Sequence, residues 1–337
     1  MRRPWKSCRS WLAMLALIGS GLAAADAGDG GRRVLTALPA LHALTATLCE
    51  GTRIDVSRLP AGTAVPMEAQ SNALTHLQGE LFTKADAVVT LRGLWRADPL
   101  YPVARSHNLG IIEIDATRSW DAAKPGLAVV ETPRNDVPWG EQSGQEAGPS
   151  PYAWLGADNG ARMAALIAAD LMRLSPADAN RIARNLAALE QRLRRLKAGY
   201  GVRMAALRDP KVLSLANEFA YLLGEFGVFV EGWDARQDVD WRDSDRSALS
   251  DYLRRRDIRL VVHKWRPDER IVKAIERGGA RLLILDAGNP GLLAGEDGEY
   301  EALLRWNIDT LLTALETTAD DAARPAGDSP PIEAPFK

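Results

Sequence analysis

The stretch from 175 to 207 constrains this chain more than any other. Ser175 followed by Pro176, with Asp178 in the first turn, supplies an N-cap, a proline suited to the first helical position and a carboxylate matched to the helix dipole. Ile182, Leu186, Leu189, Leu193, Leu196 and Tyr200 then recur at spacings of three and four, which puts them on one helical stripe. Arg181, Arg184, Arg192, Arg195 and Lys197 occupy the opposite face, expected to be solvated. From 176 to 198 the rod is about 35 Å long, enough to span a globule. Gly199 and Gly201 each cost roughly 1 kcal/mol inside a helix, so a bend or an end is expected there. The stripe is too short to favour a coiled coil.

On both sides of the rod, strand and helix alternate. Before it, 33–38, 54–59, 87–91 and 110–115 read as strands, with helices after Pro39 (Leu41, Leu44 and Leu48 on one face), at 71–82 and at 158–174. After it, 211–216, 228–233, 258–264 and 281–287 read as strands, with helices at 218–226, 245–256, 268–277 and 299–315. That rhythm implies parallel pairing with right-handed crossovers. The expected fold is α/β: two lobes, each with a mainly parallel sheet flanked by helices, joined by one long backbone helix. The lobes would occupy 31–157 and 208–317, with connecting helices over 158–207 between them. From 119 to 151 periodicity disappears and a long surface loop is expected, functional or mobile. The Ala-, Asp- and Pro-rich segment 318–337 reads as a disordered tail.

Residues 1–25 carry an address. Arg2, Arg3, Lys6 and Arg9 precede a short apolar core, and Ala23, Ala24 and Ala25 offer a cleavage site. The apolar run is too short to span a bilayer, and no cysteine follows it to carry a lipid anchor. A signal peptide cleaved near Ala25 or Ala27 and a soluble periplasmic product are expected. Loss of those four basic residues moves the formal charge from −2 to −6, leaving no basic field for nucleic acid. Cys8 leaves with the signal, so Cys49 stands alone and no intramolecular disulfide can form.

Catalytic motifs are missing. The chain has no P-loop, no G-x-G-x-x-G after a strand, no G-x-S-x-G elbow, no H-E-x-x-H and no paired-cysteine zinc pattern. His42, His76, His107 and His263 are scattered singly. A binding protein rather than an enzyme fits what remains, because ligands of open α/β sheets sit beyond the carboxyl ends of strands.

The ordered segments VLTALPALHAL (34–44), LPAG (59–62) followed by Pro66, Ala73-Leu74 and ADAVV (85–89), PYAWL (151–155) and YEALLRWNIDTLLTAL (300–315) resemble the periplasmic solute-binding components of zinc and manganese ABC importers. The resemblance implies two lobes on one rigid helix, an inner-membrane ABC permease as partner, and one divalent or other transition-metal ion held by three histidines and an acidic residue. Here the histidine positions fall at Pro66 or Met67, at Tyr152, and at Ala216 or Asn217, and only the acidic one, Asp286 in LILDAG, keeps its type. The carried-over set is therefore Met67, Tyr152, Asn217 and Asp286: a thioether, a phenol, an amide and a carboxylate, a poor match for zinc. As a phenolate, Tyr152 would suit a ferric ion. Trp95, Trp154, Trp233 and Trp265, with Glu68 and Lys264, fall at strand ends or in the following loops and outline an aromatic cleft for a different metal, a metal complex or a small organic solute. The expectation is a monomeric importer component with an altered cleft. The alternative is a ligand-free pseudo-binding protein whose cleft Trp233 and Trp265 fill.

Overall fold

The structure is a computed structural model that describes residues 31–62, 64–140, 148–295 and 298–323. The expected signal segment and most of the expected tail lie outside the described residues.

The described residues form eight strands, of which the four central ones are short, largely apolar runs. In the first lobe the strands are β1 (Arg33–Thr36), β2 (Asp55–Arg58), β3 (Ala87–Thr90) and β4 (Ile112–Asp115), all parallel in the order β2-β1-β3-β4. In the second they are β5 (Lys211–Ser214), β6 (Phe229–Trp233), β7 (Leu260–His263) and β8 (Arg281–Ile284), parallel in the corresponding order β6-β5-β7-β8. Successive side chains point to opposite faces of a sheet, and both faces here are covered. Val34, Ala87, Val89, Val212, Leu260 and Val262 enter one core shared by the two lobes. Their neighbours Leu35 and Val88 enter an outer cluster of the first lobe, and Leu213 and Val261 an outer cluster of the second. Burial on two faces is why the central strands β1, β3, β5 and β7 read as continuous apolar runs rather than alternating ones, whereas the edge strands keep polar positions.

The shared core is filled by helices: α1 (Pro39–Cys49), α5 (Ala157–Leu174), α6 (Ala179–Ala205) and α10 (Tyr300–Ala323). The outer layers are α2 (Met67–Thr75), α3 (Glu80–Thr83) and α4 (Leu100–His107) in the first lobe, with α8 (Asp243–Arg256) and α9 (Glu269–Arg277) in the second, whereas α7 (Ala220–Glu225) turns Tyr221, Leu222 and Leu223 into the shared core. The rod α6 spans about 40 Å and buries Ile182, Leu189, Leu193, Leu196 and Met204 against α1, α5 and α10. Ser175 sits one turn earlier than a cap of α6 would. Its hydroxyl donates to Asp178 Oδ2 at 2.6 Å, and a 3-10 turn over Pro176–Asp178 precedes the helix.

Four local expectations are corrected. Gly199 and Gly201 do not end α6, because the following turn still buries Met204 and so continues the stripe. The arginine face is not simply solvated: Arg181 Nε donates to Glu50 O at 2.9 Å, Arg192 pairs with Glu301 at 2.6 Å, and Lys197 pairs with Asp158 and Glu225. The helix expected over 71–82 is two: α2 ends with its cap at His76 and α3 starts after Gly79, where the ring of His107 lies 2.7 Å from where a Cβ would be. That ring stacks on Phe82 at 5.5 Å between centroids. The last helix, α10, continues to Ala323, beyond the expected end at Leu315. One helix, α4, was not anticipated. Pro99 and Pro102 obscured it, although a proline in the first turn lacks only an N–H that has no helical partner there.

The long loop after β4 is a strap on the second lobe. Ala128 exchanges two hydrogen bonds with Asn159. Tyr221 Oη accepts from Val130 N at 3.2 Å and donates to Ser150 O at 3.1 Å. Asp136 accepts from Trp233 N at 2.6 Å, and its own N–H donates back to Trp233 O. Trp139 Nε1 donates to the buried Asp234, which also holds Arg236. Backbone groups on the β6 side of the sheet are thereby satisfied.

Candidate ligand cleft

A cleft of about 410 Å³ opens where the second sheet presents its carboxyl ends to the first lobe. Glu218 follows β5, Gln237 follows β6, Lys264 and Trp265 follow β7, and Asp286 follows β8. Pro66, Glu68 and Tyr152 form the first-lobe wall, with Asn289 and Gly291 on the loop after β8. The set has three carboxylates and one ammonium, a net negative field suited to cations.

Lys264 pairs with Glu218 Oε1 and lies over the Trp265 ring, 4.6 Å from its centroid. Glu218 is 3% exposed, and its second oxygen, Oε2, is buried without a hydrogen-bond partner in the protein. The loop bearing Lys264 and Trp265 is positioned from behind by His263, 3% exposed, whose Nδ1 accepts from Lys264 N at 2.7 Å and Trp265 N at 3.3 Å. That puts the neutral ring's proton on Nε2. Burial, helped by the neighbouring Lys264 charge and opposed by Asp238, brings the imidazole down to about 4. Asp286 is fixed by its own loop: Oδ1 accepts from Gly288 N and Oδ2 from Leu292 N, both at 2.7 Å. An added Cβ at Gly291, where φ is +49°, would lie 1.8 Å from Asp286 Oδ1, so only glycine fits there.

The loop after β8 is held by both lobes. Arg58 donates to Leu293 O, Ala294 O and Gly295 O at 2.7–3.0 Å. Asn289 Oδ1 accepts from Met67 N at 2.9 Å, and Trp154 Nε1 donates to Ala287 O at 2.9 Å. The Tyr152 phenol, which bonds Asn289, is held well above the ordinary tyrosine range by burial and then by the charges of Glu218 and Glu68. It is therefore a neutral phenol at neutral pH, and the phenolate that would suit a ferric ion is disfavoured.

Of the residues singled out from sequence, Asp286, Tyr152, Glu68, Lys264 and Trp265 come together on the cleft. Met67 is buried in the shared core; Trp154, 1% exposed, is a core residue; Trp95 and Trp233 pack against the core edge; and Asn217 is half-buried outside the lining. Asn289 and Gln237 were missed. The Gly-Asn-Pro turn directly after a strand could have pointed to Asn289; nothing local marks Gln237. Among the described residues no three His, Cys, Asp or Glu side chains converge tightly enough to hold a metal ion.

Two parallel-sheet lobes on one backbone helix, with a polar cleft at the strand ends, are the architecture of a two-lobed solute-binding protein. The family model for the zinc-uptake complex component A, periplasmic (ZnuA), matches residues 34–314, and the chain belongs to that family. It is 24% identical over 179 residues to the manganese ABC transporter substrate-binding lipoprotein PsaA of Streptococcus pneumoniae. It is 23% identical over 185 residues to the metal ABC transporter substrate-binding lipoprotein FimA of Streptococcus parasanguinis. Those matches cover 52% and 53% of this chain, and 57% and 60% of the relatives' lengths. A mutant of FpvC from Pseudomonas aeruginosa is similar in structure, with a TM-score of 0.67 and 22% identity over 85% of this chain and 99% of that one. A zinc-bound ZnuA deletion mutant follows at 0.57 and 18%, over 89% and 100%. At such identity the likeness shows the fold.

Proposed function

We propose that this chain is the periplasmic solute-binding component of an ABC importer of the metal type, capturing cargo between its lobes for an inner-membrane permease. Family membership supports the class, and the names of similar proteins, which include manganese- and zinc-bound forms, support a metal as cargo. The observation that carries the reading is that Glu218 and Asp286, past the ends of β5 and β8, line one cleft with Glu68 of α2 and Tyr152, spaced around it rather than meeting at one point. These donors are oxygens, without imidazole or thiolate, so the cleft favours harder cations than zinc or a metal already partly coordinated. Because one core runs through both lobes, capture would involve small tilts and movement of the loop after β8 rather than a wide hinge. Export matches the signal segment, and no described helix is long and apolar enough to cross a membrane.

The ligand-free alternative called for a cleft filled by tryptophans, and the open 410 Å³ with Trp265 40% exposed argues against it. Metal analysis and calorimetric titration of the exported protein test the proposal. One equivalent of transition metal, lost with Glu218→Gln and Asp286→Asn together, is expected; a metal-free protein indifferent to Mn²⁺, Ni²⁺ and Zn²⁺, free or chelated, would overturn it.

A further inference from the structure

We propose that Lys264 makes this cleft specific for a metal ion bound to a small carboxylate chelator, rather than for the bare ion. The inference rests on the metal-cargo reading and names the form of the cargo. Three independent features lead to it. The first is size. An ion with two waters fills roughly 100 Å³ at the volume water has in the liquid, whereas the cleft holds about 410 Å³, inside the range of about 300–1,000 Å³ typical of small-molecule sites. The second is donor number. No three His, Cys, Asp or Glu side chains converge on one point among the described residues, so a captured ion must bring part of its coordination shell.

The third is the fixed cation. Lys264 gives one N–H to Glu218 Oε1, and its side chain, 28% exposed, keeps the rest of the ammonium turned to the cleft beside the exposed Trp265 face. A bare dication would be repelled by that ammonium; a carboxylate on the ion's far side would be bonded by it. The buried, partnerless Glu218 Oε2 then faces the metal, the chelator supplies the donors that the spread carboxylates of Asp286 and Glu68 do not bring to the same point, and Trp265 covers the chelator's carbon skeleton. Zinc and manganese ions alone are therefore poorer ligands than their chelates.

The test is calorimetric titration of the full exported protein with Mn²⁺ alone, citrate alone and the 1:1 Mn²⁺–citrate complex. The complex is expected to bind at least ten-fold tighter than either component. Lys264→Met should weaken the complex at least ten-fold without weakening the binding of Mn²⁺ alone, whatever the loss of the Glu218 pair costs in stability, and Lys264→Arg should restore most of the affinity. Equal affinity for Mn²⁺ and its complex, or complex binding indifferent to Lys264→Met, overturns the inference while leaving a metal cargo in place. Citrate binding as tightly as its complex overturns the metal half of it. No response to Mn²⁺ or to the complex overturns both readings.

Discussion

The two sheets have the same strand order, yet their carboxyl ends treat polar groups in opposite ways. In the first lobe most of these groups are consumed internally, with Gln70 Oε1 and Arg92 Nε the buried exceptions. Asp115 accepts from Gly93 N, Thr117 N and Thr117 Oγ1; Asp98 accepts from Leu91 N and Leu100 N; Thr36 bonds His42; and Arg58 is spent on backbone carbonyls. In the second lobe Glu218, Lys264 and Asp286 reach the cleft, and one buried oxygen of Glu218 has no partner. A fold can thus keep one half as scaffold and place the reactive chemistry on the other. Leaving a buried carboxylate oxygen unpaired costs stability, which is characteristic of a binding site rather than of a core.

Four results would break or sharpen that contrast. The largest concerns two tryptophans. Trp154 lies in the shared core and holds the loop after β8, so Trp154→Ala should cost about 4 kcal/mol by urea denaturation. Trp265→Ala, at a 40% exposed cleft position, should cost less than about 0.5 kcal/mol and instead weaken ligand binding. Equal losses would mean that the cleft is core.

The next is pH dependence, which sets one buried group in each lobe against the other. His263 titrates near 6.5 when unfolded and about 4 when folded, so its neutral burial supports the fold above pH 6.5 and loses about 3 kcal/mol as pH falls to 4. Asp98 runs the other way. Burial, only partly offset by its two backbone N–H donors, raises it from 3.8 to about 6, so its contribution is present in acid and is lost as pH rises from 3.8 to 6. In the native protein the two slopes largely cancel between pH 4 and 6. Asp98→Asn should give a stability that drops steeply toward acid, and His263→Gln one that falls toward neutrality. Unaltered profiles would contradict the assigned burial.

Smaller effects follow. Asp115→Ala should cost about 2 kcal/mol through three unpaired donors without changing ligand affinity, whereas Glu218→Gln should change affinity far more than stability. The least is in the rod. An added Cβ at Gly199 meets no atom within 4 Å, so Gly199→Ala should stabilise by about 0.5–1 kcal/mol, read as a shift of the urea midpoint.

What could be read from the sequence follows the same division. The strands and the rod were legible because burial of both sheet faces and of one helix stripe leaves an apolar pattern that needs no tertiary information. The packing of the His107 ring against Gly79 was not, since that ring arrives from another helix. The strap was not, because Asn135 and Asp136 bond the backbone of Ala235 and Trp233, an arrangement with no periodicity. At the cleft, Lys264, Trp265 and Asp286 were legible as residues just past strand ends. Asn289 and Gln237 enter through loop paths, and Trp154 turns inward in a 3-10 turn whose direction no spacing encodes.

Anomalous diffraction at the manganese edge, from crystals grown with Mn²⁺ and citrate, tests the central claim most directly. The account predicts one peak within coordination distance of Glu218 or Asp286, with density for the chelator against Lys264 and Trp265. A peak bonded only to first-lobe groups, or lying in the larger groove of about 810 Å³ beside Lys197 and Phe226, would contradict it.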